Sequence, residues 1–294
     1  MVAVCAVLVL AGCATGTGTG PAAAPAPASP APAAPQASAA PAPGRPDHVL
    51  IVVLENKDEG DAMSEGPYLR SLAASGAVLT DMHAETHPSQ ANYLALFSGS
   101  TQGVDGDACP LTLDGPNLAT RLADAGHTFA GYAEDLPEAG FPGCKTAGYV
   151  RRHVPWASFR SVPAAANQPL TAMPADPAAL PTVSFLIPNL CHDMHDCSIA
   201  EGDAWLRGAV DGYAQWARTH NSLLLVTFDE SESDHDTDNH IATVAVGEHV
   251  VPGPVAGRTD HYGLLRTLED LYGLPPLGRS AAATAIPALW RVTT

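Results

Sequence analysis

The chain has 294 residues, of which 46% are hydrophobic, and it carries a formal net charge of −17 at pH 7. Its 14 Lys and Arg against 31 Asp and Glu exclude nucleic acid as a partner, because binding to a phosphate backbone requires clustered cations. Apart from the N-terminal segments described next, about 250 residues remain, which is enough for one large domain with a buried core. We expect this domain to be a monomer.

The N-terminal residues 1–13, MVAVCAVLVLAGC, form an apolar run that is too short to span a bilayer and is typical of an export signal. The ending LAGC resembles the lipobox of bacterial lipoproteins, in which the cysteine, here Cys13, is lipidated. We therefore expect an exported protein that is anchored to the outer face of the membrane through Cys13, or secreted. Residues 14–46 are almost entirely Ala, Pro, Gly, Ser and Thr, a composition that predicts a disordered linker.

Along residues 47–294, predicted strands alternate with predicted helices. In chain order the strands lie in HVLIVVLEN, AVLTDMHA, TFAGYAED, TVSFLIPNL, SLLLVTFDE and ATVAVG. The helices lie in GPYLRSLAASG, SQANYLALFSG, NLATRLADAG, GDAWLRGAVDGYAQWART and DHYGLLRTLEDLYG. Asn117 is a predicted helix cap, and Gly126 a predicted helix terminator. This alternation predicts a three-layer α/β/α sandwich with a mainly parallel central sheet.

Four cysteines follow the signal segment, and an even number in an exported protein favours disulfides over metal thiolates. Their proximity in sequence favours the pairs Cys109–Cys144 and Cys191–Cys197. A zinc–thiolate site is the alternative, although the spacing matches no familiar zinc finger.

Several predicted strands end in polar residues, among them Glu55–Asn56 and Asp229–Glu230. In open α/β sheets the ligand site lies beyond the carboxyl ends of the strands. Carboxylate and amide oxygens suit Ca²⁺, Mg²⁺ or Mn²⁺, and added histidines would admit Zn²⁺. A calcium-binding EF-hand starting at Asp234 is excluded, because its twelfth position is Ala245 instead of Glu. We expect Asp229 and Glu230 to share a cation, and Glu232, Asp234 and Asp236 to form a solvated loop.

Six segments in this order, VVLEN, THPSQANYLALFSGSTQG, GYAEDLP, FLIPNLCHDMHDC, LLLVTFDE and HYGLLRTLEDLYGLP, resemble the bacterial phosphoesterase family of secreted acid phosphatases and phospholipases C. The likeness is strongest to exported actinobacterial acid phosphatases that act on phosphatidylinositol 3-phosphate. The resemblance implies an alkaline phosphatase-like fold and a hydroxyl nucleophile assisted by a metal.

The resemblance also implies roles for individual residues. It implies metal ligands at Glu55, Asn56, Thr86, Asp229 and Glu230, with Thr86 as the nucleophile that becomes phosphothreonine. His195 and His261 are the expected catalytic acids, because histidine exchanges protons in the useful pH range. The expected substrate-binding residues are Arg152, His153, His192, Asp203 and His240.

The sequence therefore predicts a metal-dependent acid phosphatase for phosphate monoesters, with a phosphorylated small molecule or a phosphoinositide as substrate. The alternatives are a phospholipase C-type phosphodiesterase and a non-catalytic metal-binding lipoprotein. A serine hydrolase of the α/β-hydrolase type is excluded, because no G-x-S-x-G motif occurs.

Overall fold

The computed structural model describes residues 44–232, 238–286 and 289–291. The predicted lipidation site Cys13, most of the predicted linker, and Asp234 and Asp236 of the acidic loop lie outside these ranges. Within them, no helix has both the length and the apolar character that crossing a bilayer requires.

Twelve strands occur in the described residues. They are β1 (His48–Leu54), β2 (Ala77–Leu79), β3 (Met82–His83), β4 (Phe129–Ala133), β5 (Lys145–Thr146), β6 (Tyr149–Val150), β7 (Asn167–Pro169), β8 (Val183–Ile187), β9 (Ser222–Phe228), β10 (Thr243–Gly247), β11 (Gly253–Val255) and β12 (Thr259–Asp260). The α-helices are α1 (Glu59–Glu65), α2 (Pro67–Ser75), α3 (Gln90–Ser98), α4 (Leu118–Asp124), α5 (Ile199–Ala217) and α6 (His261–Tyr272).

The main sheet contains eight of these strands in the order β11-β2-β10-β9-β1-β8-β4-β7. It is mainly parallel, and β10 runs antiparallel to both of its neighbours. Strand β1 lies between β8 and β9 and is parallel to both. Its residues from Val49 to Leu54 are all buried, as expected for an apolar central strand that is covered on both faces.

The helices form two groups that cover the sheet. Helices α1, α2 and α5 contact one another, and α2 and α5 also pack on β10. Helices α3 and α6 contact each other in the second group. The predicted three-layer sandwich is confirmed, and both layers pack on a single hydrophobic core.

The predicted elements appear in the predicted order, together with five short strands that were not predicted, β5, β6, β7, β11 and β12. Two further local differences occur. The segment AVLTDMHA forms two short strands, β2 and β3, separated by a turn. Helix α1, which is acidic and only seven residues long, was not predicted. The Asn117 cap is confirmed, because its side chain accepts a hydrogen bond from the Thr120 amide at 3.1 Å.

Candidate active site

Two neighbouring strand ends bring three carboxylates together. Strands β1 and β9 run parallel in a register that pairs Leu54 with Phe228, so the chain leaves both strands at the same edge of the sheet. Glu55, Asp229 and Glu230 follow directly, and each is at most 3% exposed. One carboxylate oxygen from each lies within 4.8 Å of those of the other two. Because like charges at this distance repel strongly away from water, this cluster requires protons or a cation.

The effect of this environment is clearest in the pKa and the hydrogen bonds of the Asp229 carboxyl group. Burial raises its pKa well above the usual range, and the charges of Glu55 and Glu230 raise it further. Its Oδ1 accepts a hydrogen bond from the backbone amide of Asn56 at 3.1 Å, where Asn56 adopts a left-handed conformation with φ of 57°. Its Oδ2 is buried and has no hydrogen-bond partner. A lone pair left over in a set of oxygen donors is what a hard divalent cation would bind, so these residues fit a metal.

The side chain of Ser89 lies between two of these carboxylates. Its Oγ is hydrogen-bonded to Glu55 Oε1 through a short contact and lies 2.9 Å from Glu230 Oε1. A hydroxyl has one proton and can donate to only one of the two oxygens at a time. The remaining contact joins two oxygens without a proton, an arrangement that a cation would make favourable. Ser89 therefore belongs to the carboxylate cluster.

The local structure around helix α3 explains how Ser89 reaches the cluster. Ser89 occupies the N-cap position of α3, but its side chain makes no capping hydrogen bond and is directed to the carboxylates instead. The amide groups at a helix N-terminus stabilise negative charge nearby. Tyr93, one turn further along α3, donates its hydroxyl to Glu55 Oε2 at 2.7 Å. Asn92 donates to Glu230 Oε2 at 3.2 Å.

The hydroxyl of Thr86, the expected nucleophile, has a different partner. Thr86 Oγ1 donates to the backbone oxygen of His87 at 3.1 Å. The Thr86 backbone is held by the side chain of Asn92, which accepts from its amide at 3.1 Å and donates to its carbonyl at 2.7 Å. Asn239 also donates to the Thr86 carbonyl, at 3.0 Å. Thr86 thus lies in the loop that carries Ser89 and His87, and the ring of His87 lies 3.0 Å from Glu230 Oε2.

A buried histidine adjoins the cluster on the side of strand β8. His153 has no exposed surface, and its Nε2 lies 3.3 Å from Glu55 Oε2. Its Nδ1 lies 3.4 Å from Oδ2 of Asp193. Burial lowers the pKa of His153 to about 4, although the charge of Glu55 opposes this shift. Burial raises the pKa of Asp193 to about 7. The ring of His153 also stacks on Tyr93 with the centroids 5.0 Å apart.

His195 and Arg152 lie next to this histidine and are more exposed. The backbone amide of His195 donates to Asp193 Oδ1 at 2.8 Å, and its side chain is 34% exposed with Nδ1 2.7 Å from Asp196. Arg152 precedes His153, and its Nε lies 3.3 Å from a carboxylate oxygen of Asp107. Both side chains can therefore meet a ligand that approaches the cluster from solvent.

Three other expected site residues have partners outside the cluster. His192 contacts Glu134 at 2.9 Å and stacks on Trp205. Asp203 accepts from the Tyr68 and Leu69 amides at 2.8 Å, which satisfies the N-terminus of α2. His240 stacks on His83.

His261 is only 1% exposed, and both of its ring nitrogens are engaged. Its Nδ1 lies 2.7 Å from Glu85 Oε2, and its Nε2 lies 2.9 Å from the carbonyl oxygen of Phe228. Burial lowers the pKa of His261, but the charge and hydrogen bond of Glu85, the carbonyl of Phe228 and the charge of Asp260 together raise it by more, so the net shift is upward. His261 thereby connects the loop before Ser89 to the end of β9.

The two predicted disulfides, Cys109–Cys144 and Cys191–Cys197, are confirmed. The second closes the loop that contains Asp193 and His195. The backbone oxygen of Asp193 accepts from the Glu55 amide at 2.8 Å, so the closed loop also fixes the backbone of a cluster residue. In the neighbouring acidic loop, Glu232 pairs with Lys57 at 2.7 Å.

Four residues of the site were not identified from the sequence: Ser89, Asn92, Tyr93 and Asp193. A signal for the first three exists, because positions 89, 92 and 93 are spaced by three and four residues and so share one face of a helix. That face carries hydroxyl and amide groups in an otherwise apolar helix. Asp193 has no comparable signal, since its contact with His153 joins distant parts of the chain.

The chain is similar in sequence to a known protein family and to individual phosphatases. The model of the Phosphoesterase family matches residues 62–275. The chain is 47% identical over 248 residues to a phosphatidylinositol-3-phosphatase of Mycobacterium tuberculosis, covering 83% of this chain and 82% of that protein. It is 34% identical over 253 residues to a phosphate-repressible acid phosphatase of Penicillium chrysogenum, covering 79% of this chain and 60% of that longer protein.

Two solved structures share the fold at low sequence identity. One is a protein of the alkaline phosphatase superfamily from Vibrio parahaemolyticus, with a TM-score of 0.57, 13% identity, and coverage of 83% of this chain and 71% of that chain. The other is the C-terminal periplasmic domain of EcEptC from Escherichia coli in complex with Zn, with a TM-score of 0.54, 13% identity, and coverage of 85% and 89%. The predicted alkaline phosphatase-like fold is confirmed.

Proposed function

Because the chain belongs to the phosphoesterase family, we propose that it is an exported, metal-dependent acid phosphatase that hydrolyses phosphate monoesters. The observation that carries this proposal is the Ser89 hydroxyl held between the buried carboxylates of Glu55 and Glu230. A hydroxyl against a set of hard oxygen donors is the arrangement that metal-assisted phosphoryl transfer needs.

Glu55, Asn56, Ser89, Asp229 and Glu230 are the residues that would hold the cation. When bound, a divalent cation lowers the pKa of a ligating hydroxyl and offsets the charge of a phosphate. Oxygen donors favour Ca²⁺, Mg²⁺ or Mn²⁺, and Zn²⁺ is also compatible with carboxylate ligands. Without this positive charge, the acidic cluster would repel an anionic ester.

The geometry supports Ser89 more strongly than Thr86 as the nucleophile. Ser89 Oγ lies on the carboxylates at the start of helix α3, whereas Thr86 Oγ1 is bound to a backbone carbonyl. In the proposed first step, Ser89 Oγ passes its proton to the Glu55 carboxylate that it contacts and attacks phosphorus, and the bond to the leaving alcohol breaks with its electron pair on the alcohol oxygen. Water then attacks the phosphoserine, the bond from phosphorus to Ser89 Oγ breaks with release of inorganic phosphate, and Glu55 returns the proton to Ser89 Oγ. A phosphothreonine at Thr86 is the alternative that the experiment below distinguishes.

His195 is better placed than His261 to protonate the leaving alcohol. Its side chain reaches solvent beside Asp193, while His261 is buried with both nitrogens engaged. In the second step His195 takes a proton from the attacking water, so the two steps return it to its starting state. The guanidinium of Arg152 would contact the non-bridging phosphate oxygens, because its planar donors match the geometry of a phosphate group.

Phosphatidylinositol 3-phosphate is the specific substrate that we propose. The support is the 47% identity to a phosphatidylinositol-3-phosphatase over most of both chains. Two disulfides favour an oxidising compartment and hence export. A lipid anchor at Cys13 would bring the domain to a membrane surface where such a substrate lies.

The test uses purified protein with p-nitrophenyl phosphate, bis-p-nitrophenyl phosphate and vesicles that contain phosphatidylinositol 3-phosphate. We expect hydrolysis of the monoesters, loss of activity after chelation and recovery on addition of a divalent cation. Ser89→Ala should lower kcat by about 10³-fold or more, the scale for losing a nucleophile, while Thr86→Val, which also removes a hydroxyl, is the matched control and should retain turnover. Mass mapping of acid-quenched protein should locate phosphate on Ser89.

Each alternative function or mechanism predicts a different outcome of these experiments. Faster hydrolysis of the diester than of the monoester would favour the phosphodiesterase, and a folded, metal-loaded protein without turnover would favour the non-catalytic lipoprotein. Phosphate on Thr86, with turnover retained in Ser89→Ala, would show that Thr86 is the nucleophile instead of Ser89. Full activity after exhaustive chelation would refute the metal mechanism.

A further inference from the structure

The carboxylate of Asp107 contacts both the helix of the proposed nucleophile and the arginine beside the cluster. Its Oδ1 accepts a hydrogen bond at 3.3 Å from the backbone amide of Gln90, the residue after Ser89 at the start of α3. Its Oδ2 lies 3.3 Å from Nε of Arg152. One acidic side chain thus links the two groups that would meet a phosphate in the first step.

The contact with Asp107 occupies only one edge of the Arg152 guanidinium. Nε is buried and forms no hydrogen bond, so the approach of Asp107 is an ion-pair contact. Within the described part of the chain, no protein atom bonds the two terminal amino groups of Arg152. The neighbouring Arg151 differs, because its terminal amino groups donate to two backbone carbonyl oxygens at 2.6 Å. Arg152 therefore keeps free donors that can pair with a phosphate.

Arg152 lies within electrostatic reach of the carboxylate cluster. Burial is the largest cause of the low pKa of His153, and the charge of Arg152 also lowers it, while the charge of Asp107 raises it. His153 in turn lies 3.3 Å from Glu55. Because the side chain of Arg152 is 24% exposed, it can contact an anion that reaches the cluster from solvent.

The loop that carries the Asp107 carboxylate is fixed on both sides. On one side, Nε2 of Gln90 donates to a backbone oxygen of this loop at 3.0 Å. On the other side, Cys109 forms the disulfide with Cys144, whose backbone oxygen accepts from the Arg151 amide at 2.8 Å. The start of α3, the loop and the segment that carries the arginine are therefore joined in one frame.

We infer that Asp107 is a positioning residue that holds Arg152 toward the phosphate group of the substrate, at a fixed distance from the start of α3. The inference rests on the proposed function, because the phosphate that Arg152 contacts is the one that Ser89 attacks. Without the carboxylate, the long arginine side chain regains rotamers that it must lose again when phosphate binds. The positive charge is then no longer held in advance where the phosphoryl oxygens lie.

The experiment uses the full chain with the divalent cation that restores activity after chelation. It measures the inhibition constant of inorganic phosphate and kcat/KM for p-nitrophenyl phosphate. Asp107→Asn keeps the size of the side chain and removes its charge. We expect it to raise the inhibition constant about 10-fold and to lower kcat/KM by a similar factor, as when a group that orients a ligand-binding residue is lost. Asp114→Asn, which breaks an exposed pair with Arg160, is the matched control and should leave both constants unchanged.

A double-mutant cycle separates positioning from a structural effect. Arg152→Gln should weaken phosphate binding more than Asp107→Asn does. Adding Asp107→Asn to Arg152→Gln should then cause no further loss, because the residue to be positioned is absent. A carboxylate that only stabilised its loop would cause the same loss in both backgrounds. Circular dichroism identifies variants that have not folded, and Asp107→Ser replaces Asp107→Asn if that variant fails.

The failures of the two proposals are distinguishable. Wild-type phosphate binding in Asp107→Asn or in Arg152→Gln, or equal losses with and without Arg152, would overturn the positioning role and leave the phosphatase reaction intact. A wild-type chain that hydrolyses no phosphate ester with any divalent cation would overturn both.

Discussion

The ion pair between Glu85 and His261 makes a stability prediction with a defined pH dependence. Glu85 Oε2 lies 2.7 Å from His261 Nδ1, and the two side chains are 5% and 1% exposed. We consider Glu85→Gln, which keeps the size and one acceptor oxygen of the side chain but removes its charge. Burial alone would lower the pKa of His261, and Glu85 makes the largest of the contributions that together raise it above the usual value. The substitution removes this favourable contribution.

The direction of the pH dependence follows from the difference between the pKa values of His261 in the folded and unfolded states. A histidine whose pKa is higher in the folded state stabilises the protein below its unfolded pKa, and this contribution disappears as the pH rises through the folded pKa. At pH 5, Glu85→Gln leaves a buried imidazole that must be charged without a partner or neutral at a cost. We expect a loss of about 3 kcal/mol in the free energy of unfolding there, at the lower end for breaking a buried pair. At pH 9, where the imidazole is neutral and the substitution only weakens a hydrogen bond, we expect about 1 kcal/mol.

The assay is urea unfolding of both proteins from pH 5 to pH 9 with a chelator present, so that metal binding does not contribute. The control is Glu85→Gln in the His261→Gln background, compared with His261→Gln alone, because this difference should not depend on pH. In the wild-type background, a difference that is constant with pH, or larger at pH 9, would refute the assignment of a charged pair.

Three further predictions concern other parts of the site. Asp203→Ala should lower the free energy of unfolding by about 2 kcal/mol, because it leaves two buried amides of α2 unpaired; kcat per folded molecule, measured at a temperature where the variant is folded, should remain at the wild-type value. His195→Gln should lower kcat/KM, which reports the first step, by about 10²-fold for alkyl phosphates and far less for p-nitrophenyl phosphate, whose leaving group needs no proton; equal losses of kcat/KM on both substrates would contradict its role as the acid. Cys191→Ser with Cys197→Ser should weaken metal binding to Glu55, measured by titration with Zn²⁺, since the closed loop holds the Glu55 amide; unchanged affinity would refute this coupling.

The fold could be predicted from the sequence because its elements have strong local signals. Strand β1 is a continuous apolar run, and α6 has apolar residues at helical spacing with Asp260 as its cap. The short elements were harder to predict from the sequence, since β3 has only two residues and α1 is acidic. Such segments are stabilised by contacts with the rest of the domain, which local composition does not record.

The site could be predicted where it depends on strand ends, and not where it depends on approach between loops. Glu55 and Asp229 follow neighbouring parallel strands, so topology alone brings them together. Ser89 and Thr86 differ only in how one loop turns into α3, which the sequence leaves open. Asp203 is acidic and near the site in sequence, yet its carboxylate serves a helix terminus instead. Composition alone does not separate these two uses of an aspartate.

The loop closed by Cys191 and Cys197 has a consequence for engineering. It supplies Asp193 and His195 to the cluster from one side, whereas Asp229 and Glu230 come from the other side of β1. Because the disulfide joins the two ends of the loop, side chains in its interior can be exchanged at constant length while the backbone of residue 193 keeps its hydrogen bond to the Glu55 amide. His195 and the side chain of Asp193 can thus be varied together within one short segment, while Asp229 and Glu230 after β9 stay in place.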